Sequence, residues 1–377
     1  MRRALALLLF LTACHRSERA QDAAVTSTAS ANAASVCVAT ATRNFQAGMA
    51  PMEITPLGPF DTSSLKGKTF AMIQFAREGN TVSNATAKVL DEALASVGAK
   101  LILFDGKGKP DVILQGFNSA IAQNVAGIIA DGFAMDLVKT GVAAAAAAKI
   151  PVLDVGAGTA TPVEPPGVVA YVAVDAGRVG MLQASYALAK TNCQLHAVTM
   201  PVSGAPITIN MADGAVSTIR QLCPTDCSIE QLEVDPGTFI TDLAGKVKTT
   251  LQRSPDLNYW ITTTDFFTPF IQQGMRAVDR TLPIVGGAQG DGLGNAMQGT
   301  NGLVAATLWP PSEIMGYIYA DGILRAAAGV PQNQVTPVRL VDASSWGTNA
   351  DVHQQFPELD RWRDAFKTAW GVKGNGR

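Results

Sequence analysis

The feature that most restricts the fold is an alternation of short apolar runs with helix-like stretches, which begins near Lys68 and starts again near Val168. In the first round the runs are "TFAMIQF", "KLILFD", "VAGIIAD" and "IPVLDVG". Between the first two, Val82, Ala85, Val89 and Ala93 recur at helical spacing. A further helix is expected from about Pro110, and an alanine-rich one over about 136–148. The second round offers "VVAYVAVD", "QLHAVTMP", "CSIEQLEVD", "LNYWITTT", "PIVGGA" and "LVAATLW", with helices expected from Ala176, near 210–222, near 239–253 and from Phe266. Runs that are apolar throughout belong to strands covered on both faces, hence to a parallel sheet flanked by helices. One doubly wound sheet rarely holds so many strands. The expected fold class is therefore α/β, with two doubly wound parallel-sheet lobes in series. A helix over about 311–328, the run "VRLVDA" and a last helix bearing Trp362, Phe366 and Trp370 suit a chain that crosses back between lobes.

The N-terminus points to export. Arg2 and Arg3 precede an apolar run, Ala4 to Leu11, that is too short to span a bilayer. The following Leu11-Thr12-Ala13-Cys14 resembles the bacterial lipoprotein signal, in which the cysteine is lipidated and becomes the new N-terminus. Residues 1–13 are read as signal peptide and 14–60, as in "AAVTSTASANAAS", as a lipidated tether too poor in apolar surface to order itself. The anchoring membrane, inner or outer, stays open. With Cys14 set aside, Cys37, Cys193, Cys223 and Cys227 remain, an even number suited to an oxidising compartment. Cys223 and Cys227 are spaced to close a small loop, which leaves Cys37 for Cys193. A metal or redox site is the rival reading, weakened by the absence of C-x-x-C and by three scattered histidines. A formal charge of −2 without a basic run argues against nucleic acid as a partner.

The stretch "IPVLDVGAGTATP" is the one strand-to-glycine turn that invites a nucleotide reading. It lacks the third glycine of G-x-G-x-x-G and does not follow the first strand, while "GGAQGDGLGNA" lacks the lysine of a phosphate loop. No G-x-S-x-G elbow occurs, and a Ser-His-Asp triad would have to recruit His196 or His353. The chain is read as a non-enzyme without a cofactor or metal.

In order along the chain, "VAGIIADGFAMDLVKTGVAAAAAAKIPVLDV", "VVAYVAVDAGRVGMLQASYALAK" and "PIVGGAQGDGLGNAMQGTNGLVAATLWPPSEIMG" resemble the type I periplasmic solute-binding proteins of the ribose and sugar-receptor group, over residues 66–345. The resemblance implies a two-lobed clamp: an N-terminal lobe from 66–174 plus 311–336, a C-terminal lobe from 175–310, crossover hinges, and a crossover with tail helix at 337–377. The lac-repressor group shares this fold but begins with a DNA-binding helix-turn-helix, where this chain has a signal and a tether.

In such a clamp the ligand sits beyond the carboxyl ends of the strands. The candidate ligand residues are Gln74, Phe75, Arg77, Glu78 and Asn80 after the first strand, Asp131 and Phe133 after the third, and Gly156 and Thr159 in the glycine turn. The second lobe supplies Thr208, Asn210, Thr264, Asp265, Phe266, Gln289, Asp291 and Trp309. Structural roles compete: the phenylalanines as packing beneath the loops, Asp265 as a helix cap, Arg77 with Glu78 as a solvated pair, and Asp175 as a hinge residue. Sugar receptors carry an aspartate and an arginine where this chain has Gly156 and Ala157, an arginine where "APITIN" has none, and an aspartate near Ala288. A pocket stripped of these charges selects by shape, stacking and neutral hydrogen bonds.

The resulting expectation is a monomeric solute-binding lipoprotein, tethered to a membrane in the periplasm, that delivers a small molecule to an ABC-type permease. Its ligand is less hydroxylated than a free sugar, being aromatic or partly apolar. A sensory receptor presenting its ligand to a membrane kinase or chemoreceptor, and a conventional sugar-binding protein, are the alternatives.

Overall fold

The computed structural model of the protein describes residues 33–287, 304–309, 312–346 and 358–372. The signal, Cys14, Gln289 and Asp291 lie outside these residues. The first sheet contains β1 (Thr69–Gln74), β2 (Lys100–Asp105), β3 (Ile128–Asp131), β4 (Val152–Asp154), β5 (Val168–Val174) and a late strand, β11 (Gln334–Thr336). Its order is β11-β5-β4-β3-β1-β2. Apolar runs become central strands here because helices cover both faces: Phe70 to Ile73 of β1 are wholly buried. The parallel register aligns Gln74 with both Asp105 and Asp131, so three strands end at one level.

The second sheet repeats the plan with β6 (His196–Thr199), β7 (Ser228–Gln231), β8 (Tyr259–Ile261), β9 (Ile284–Val285), β10 (Val304–Trp309) and β12 (Arg339–Asp342). Its order is β12-β10-β9-β8-β6-β7, parallel except for β12, which runs antiparallel to β10. The chain passes between lobes after β5, after β10, and between β11 and β12. Asp175 sits at the first passage, where its carboxylate accepts from Arg178 N and caps the next helix.

Connecting helices are α2 (Thr81–Ser96), α3 (Pro110–Ala122), α4 (Lys139–Ala147), α5 (Ala176–Lys190), α6 (Pro206–Leu222), α7 (Phe239–Arg253), α8 (Thr268–Arg276) and α9 (Ser312–Ala327). Prolines at the first turns of α3, α6 and α8 fit positions whose N–H groups have no helical partner. In α6, Pro206 starts the helix four residues before the expected 210. The buried stripe of α2 is Ala87, Leu90, Ala93 and Leu94, with Val82, Ala85 and Val89 only half-buried, so the packed face is rotated from the expected one. The helix expected from Phe266 begins as a 3₁₀ turn, Asp265–Phe267, and becomes α8 at Thr268.

The expected tether needs correction. Residues 33–48 form a helix, α1, laid on the second lobe. Composition alone missed it because only a narrow stripe of the helix is packed: Cys37, Ala41 and Phe45 are buried, Val36 is exposed, and Phe45 meets Tyr186 edge-on at 5.4 Å. Cys37 and Cys193 lie at bonding distance, as do Cys223 and Cys227. Asn44 donates to Ser185, and Arg339 donates to the Met49 carbonyl. The chain then runs to the first lobe, where Glu53 pairs with Arg361 and accepts from the Trp362 indole. The last helix, α10 (Glu358–Ala369), closes against α9, with Trp370 stacked on Tyr317 at 5.8 Å. Beneath it lies a buried ion pair: Asp321 takes Arg325, Gln334 and Trp370 as donors, and Arg325 also donates to the Gly58 carbonyl. A strap from α1 to residue 62 thus binds both lobes outside the three crossovers.

Candidate functional site

Each sheet has the strand order 2-1-3-4-5, counting within its own lobe, which reverses direction between its first and third strands. A crevice forms at that reversal, beyond the carboxyl ends. The two crevices face each other and enclose a cavity of ≈ 190 Å³. From the first lobe come Phe75, Asp131 and Gly132 at the ends of β1 and β3, with Asn80, Ser83 and Thr86 of the first turns of α2. From the second come Thr263, Thr264 and Phe266 after β8, with Thr208 and Met211 of α6. Tyr319 and Met315, one turn apart on α9, and Thr336 and Val338, beside the last crossover, complete the wall together with several valines.

The lobes touch around this cavity. Asn210 of α6 donates to the Gly158 carbonyl at 3.1 Å, and Ala134 N donates to Gly204 O at 3.2 Å. One apolar core runs through the contact, from Ile73 and Phe133 to Val202, Phe239 and Phe267. This is a closed clamp.

Among the expected ligand residues, Phe75, Asn80, Asp131, Thr208, Thr264 and Phe266 reach the cavity wall. Two of these also have structural duties: Asn80 caps α2 through Ser83 N, and Thr208 donates to Ala205 O at the start of α6. The others stand elsewhere. Gln74 is fully buried behind the wall and donates to Ser83 Oγ at 2.6 Å. Phe133 is packed beneath the loops, tilted against Phe75 at 6.5 Å. Arg77 turns to Asn84 rather than to Glu78. Glu78 lies on a separate groove with Asp105, Lys107 and Phe239. Gly156 is buried in a turn against the backbone of Gly132, Thr159 is exposed, and Asn210 serves the interlobe contact. Asp265 lies buried behind the wall and accepts from Thr307 Oγ1 at 2.5 Å. Trp309 ends β10, but its side chain lies outside the described residues, with Gln289 and Asp291.

Reasoning from strand ends missed Ser83, Thr86, Met211, Met315, Tyr319 and Thr336, because these sit on helix turns and on a crossover strand. Met315 and Tyr319 were detectable in principle: they are four residues apart on a helix directly after a crossover, where one face must meet the cleft.

Electrostatics follow from burial. Asp131 accepts from Ser83, yet loss of water pushes its carboxyl up to about 6. Asp154, behind it on β4, is pushed well above the usual carboxylate range by burial and by Glu164, then by Asp131 itself. Burial, Asp131 and Asp154 likewise hold the Tyr319 hydroxyl protonated. No lysine, arginine or histidine lines the cavity among the described residues. His196 lies at the opposite end of its sheet, starting β6. Its Nδ1 faces both Ser228 Oγ and Asp256, whereas a catalytic triad uses two different ring nitrogens. Among the described residues there is no group of three or more His, Cys, Asp or Glu side chains that could hold a metal, and no helix long and apolar enough to cross a membrane.

Two doubly wound lobes closed over a small cavity at their switch points define a ligand-binding clamp rather than a nucleotide fold. The family model described as a periplasmic binding protein domain matches residues 73–330, and the chain belongs to that family. A comparison with curated proteins gives no match. Among solved structures, the chain is similar to a sugar ABC transporter protein from Yersinia enterocolitica subsp. enterocolitica 8081, at 16% identity and TM-score 0.68, covering 86% of this chain and 100% of that one. It is also similar to a carbohydrate transporter protein from Acidothermus cellulolyticus 11B in complex with myo-inositol, at 17% identity and TM-score 0.64, covering 80% and 99%. A glucose-galactose binding protein from Geobacillus stearothermophilus gives 21% identity and TM-score 0.62, covering 74% and 98%. These likenesses show the fold.

Proposed function

We propose that the protein captures a small solute between its lobes and delivers it to an ABC-type permease, as a periplasmic lipoprotein held to a membrane through Cys14. The observation that carries this reading is the closed cavity, walled by strand ends of both lobes. A solute that touches both walls favours closure by its differential affinity for the closed state, and closure is the signal a membrane partner can read. The wall supports a solute with an apolar face: Val155, Val172, Val202, Ile207, Met211 and Met315 line it, with Phe75 and Phe266 as aromatic partners. A sugar or polyol is the second reading. It is supported by the hydroxyls of Ser83, Thr86, Thr208, Thr263 and Thr264 in the same wall and by the solutes named for the structural relatives. Native mass spectrometry of the purified protein tests the proposal. A carried-over small molecule of one mass is expected, and titration with pentoses, hexoses and myo-inositol decides between the two ligand classes. Lipidation is checked on the N-terminal peptide, where Cys14→Ser should release the protein from the membrane.

A further inference from the structure

The charge of the cavity wall is unbalanced. Asp131 is the wall's one carboxylate among the described residues, and every group facing it is either neutral or acidic. From α2, Ser83 donates to Asp131, and its Oγ accepts from Gln74 of β1. From β4 comes Asp154, itself close to Glu164, and from α9 comes Tyr319. The direction of the Gln74–Ser83–Asp131 chain matters. The Ser83 proton is committed to Asp131, so the network is built around a carboxylate acceptor. A buried charge is normally paired, and among the described residues no cation of the protein lines the wall beside Asp131.

A second observation points the same way. Thr264, 4% exposed, lines the cavity from the other lobe, and its hydroxyl has no hydrogen-bond partner among the described residues. Thr336 repeats this on the first lobe. Two hydroxyls that can accept from an ammonium group stand with the one carboxylate, and Phe75, Phe266 and Tyr319 add aromatic rings to the lining, a side-chain type that can attract cations. The remaining wall is too apolar for a strongly hydrated inorganic ion.

Building on the solute-binding reading, we infer that the ligand is a small organic ammonium ion with an aliphatic or aromatic body, its positive charge set against Asp131. Burial alone has already lifted the Asp131 carboxyl to about 6, so a bound cation would relieve a cost present in the empty cavity.

The test is calorimetric titration of the full chain at pH 7.5 with matched pairs of similar shape: isopentylammonium and isopentanol, cyclohexylammonium and cyclohexanol, benzylammonium and benzyl alcohol. Glucose and myo-inositol are run beside them. At least one ammonium ion should bind tenfold or more tightly than its alcohol, and Asp131→Asn should reduce that preference to within twofold. At pH 5, where Asp131 is mostly protonated, ammonium binding should weaken by about tenfold. Binding of alcohols or sugars without any ammonium preference overturns the inference and leaves the solute-binding reading standing. So does a preference that survives Asp131→Asn. If no probe binds and native mass spectrometry finds no carried solute, the solute-binding reading fails and takes this one with it. The wild-type comparison of ammonium with alcohol stands independently of how the variant folds.

Discussion

Gly158 offers a perturbation that should act on closure alone. It lies in the turn after β4, and its carbonyl accepts from Asn210 across the lobe boundary. A Cβ added there would stand 2.7 Å from Asn210 Nδ2, 2.7 Å from Pro206 O and 2.8 Å from Ile207 Cα, all on the opposite lobe. Gly158 is not among the glycines with positive φ, so alanine meets no backbone strain of its own. The clash therefore exists only when the lobes are together, and relieving it requires them to part locally by roughly 1 Å to reach ordinary contact distance.

The cost has two parts. Loss of the Asn210 hydrogen bond is worth about 0.5–1.5 kcal/mol, and overpacking against backbone about 1–3 kcal/mol. Together they amount to about 1.5–4.5 kcal/mol against the closed state, or solute binding weakened about 10- to 2,000-fold. The open form should be untouched, or stabilised by about 0.4–1 kcal/mol through the stiffer unfolded chain. Two assays check this for Gly158→Ala. Titration with the carried-over solute measures the affinity, and small-angle scattering measures the compaction that solute produces in wild type. Wild-type affinity and compaction in the variant would refute the closed-state argument. A large loss of thermal stability without solute would refute the claim that the clash is confined to closure.

Three further outcomes are expected. Cys37→Ser opens a loop that joins residues 156 apart, so unfolding of the second lobe should cost about 2–5 kcal/mol less, read as a lower denaturant midpoint under oxidising conditions; an unchanged midpoint would deny α1 its stabilising role. Because the Asp131 carboxyl is raised in the folded state, the unfolded chain loses its proton first, so this residue withdraws stability as pH rises from about 4 to about 6; Asp131→Asn should then stabilise the solute-free protein by at most about 3 kcal/mol at pH 7.5 and by nothing near pH 3.5, and an equal shift at both values would contradict the burial argument. Asp321→Ala strands the buried Arg325 charge and frees the Trp370 indole, so a loss of about 3–5 kcal/mol in urea unfolding is expected, against which a loss below 1 kcal/mol would count.

Much of the architecture was legible because parallel strands buried on both faces need unbroken apolar runs, and such runs are rare elsewhere. "TFAMIQF", "VAGIIAD" and "LNYWITTT" each became interior strands of a sheet, paired on both sides. The helix α1 was not legible, since its buried residues Cys37, Ala41 and Phe45 are few and spaced four apart in an alanine-rich segment. Its burial depends on a partner, Tyr186 and Cys193 of the second lobe, which lies about 150 positions on. The strand β11 was hidden for a related reason: three residues, "QVT", pair with β5 only because the chain has already crossed back. At the site, strand ends identified Phe75, Asp131 and Thr264, but a strand end says nothing about which neighbouring side chains rise into the crevice. Ser83 and Tyr319 come from helices whose rotation is set by packing, and the α2 stripe shows that a one-residue error in that rotation escapes a periodicity count.

The glycine turn after β4 shows how absence and presence of charge are linked. Reading Gly156 and Ala157 against the sugar-receptor pattern suggested a cleft emptied of charge. In the folded protein those small residues have a positive function: they let the turn lie against Gly132 on one side and, through Gly158, against α6 on the other. A side chain at Gly158 would press on α6 of the opposite lobe. The one carboxylate that the described residues place in the wall instead enters from β3, where Asp131 is held by Ser83. Among the described residues the wall's charge thus comes from β3, the strand beside β4, and no arginine lines the wall with it. A clamp that closes this tightly on a carboxylate held by a neutral serine should have a stronger preference for the charge of its solute than for the number of its hydroxyls.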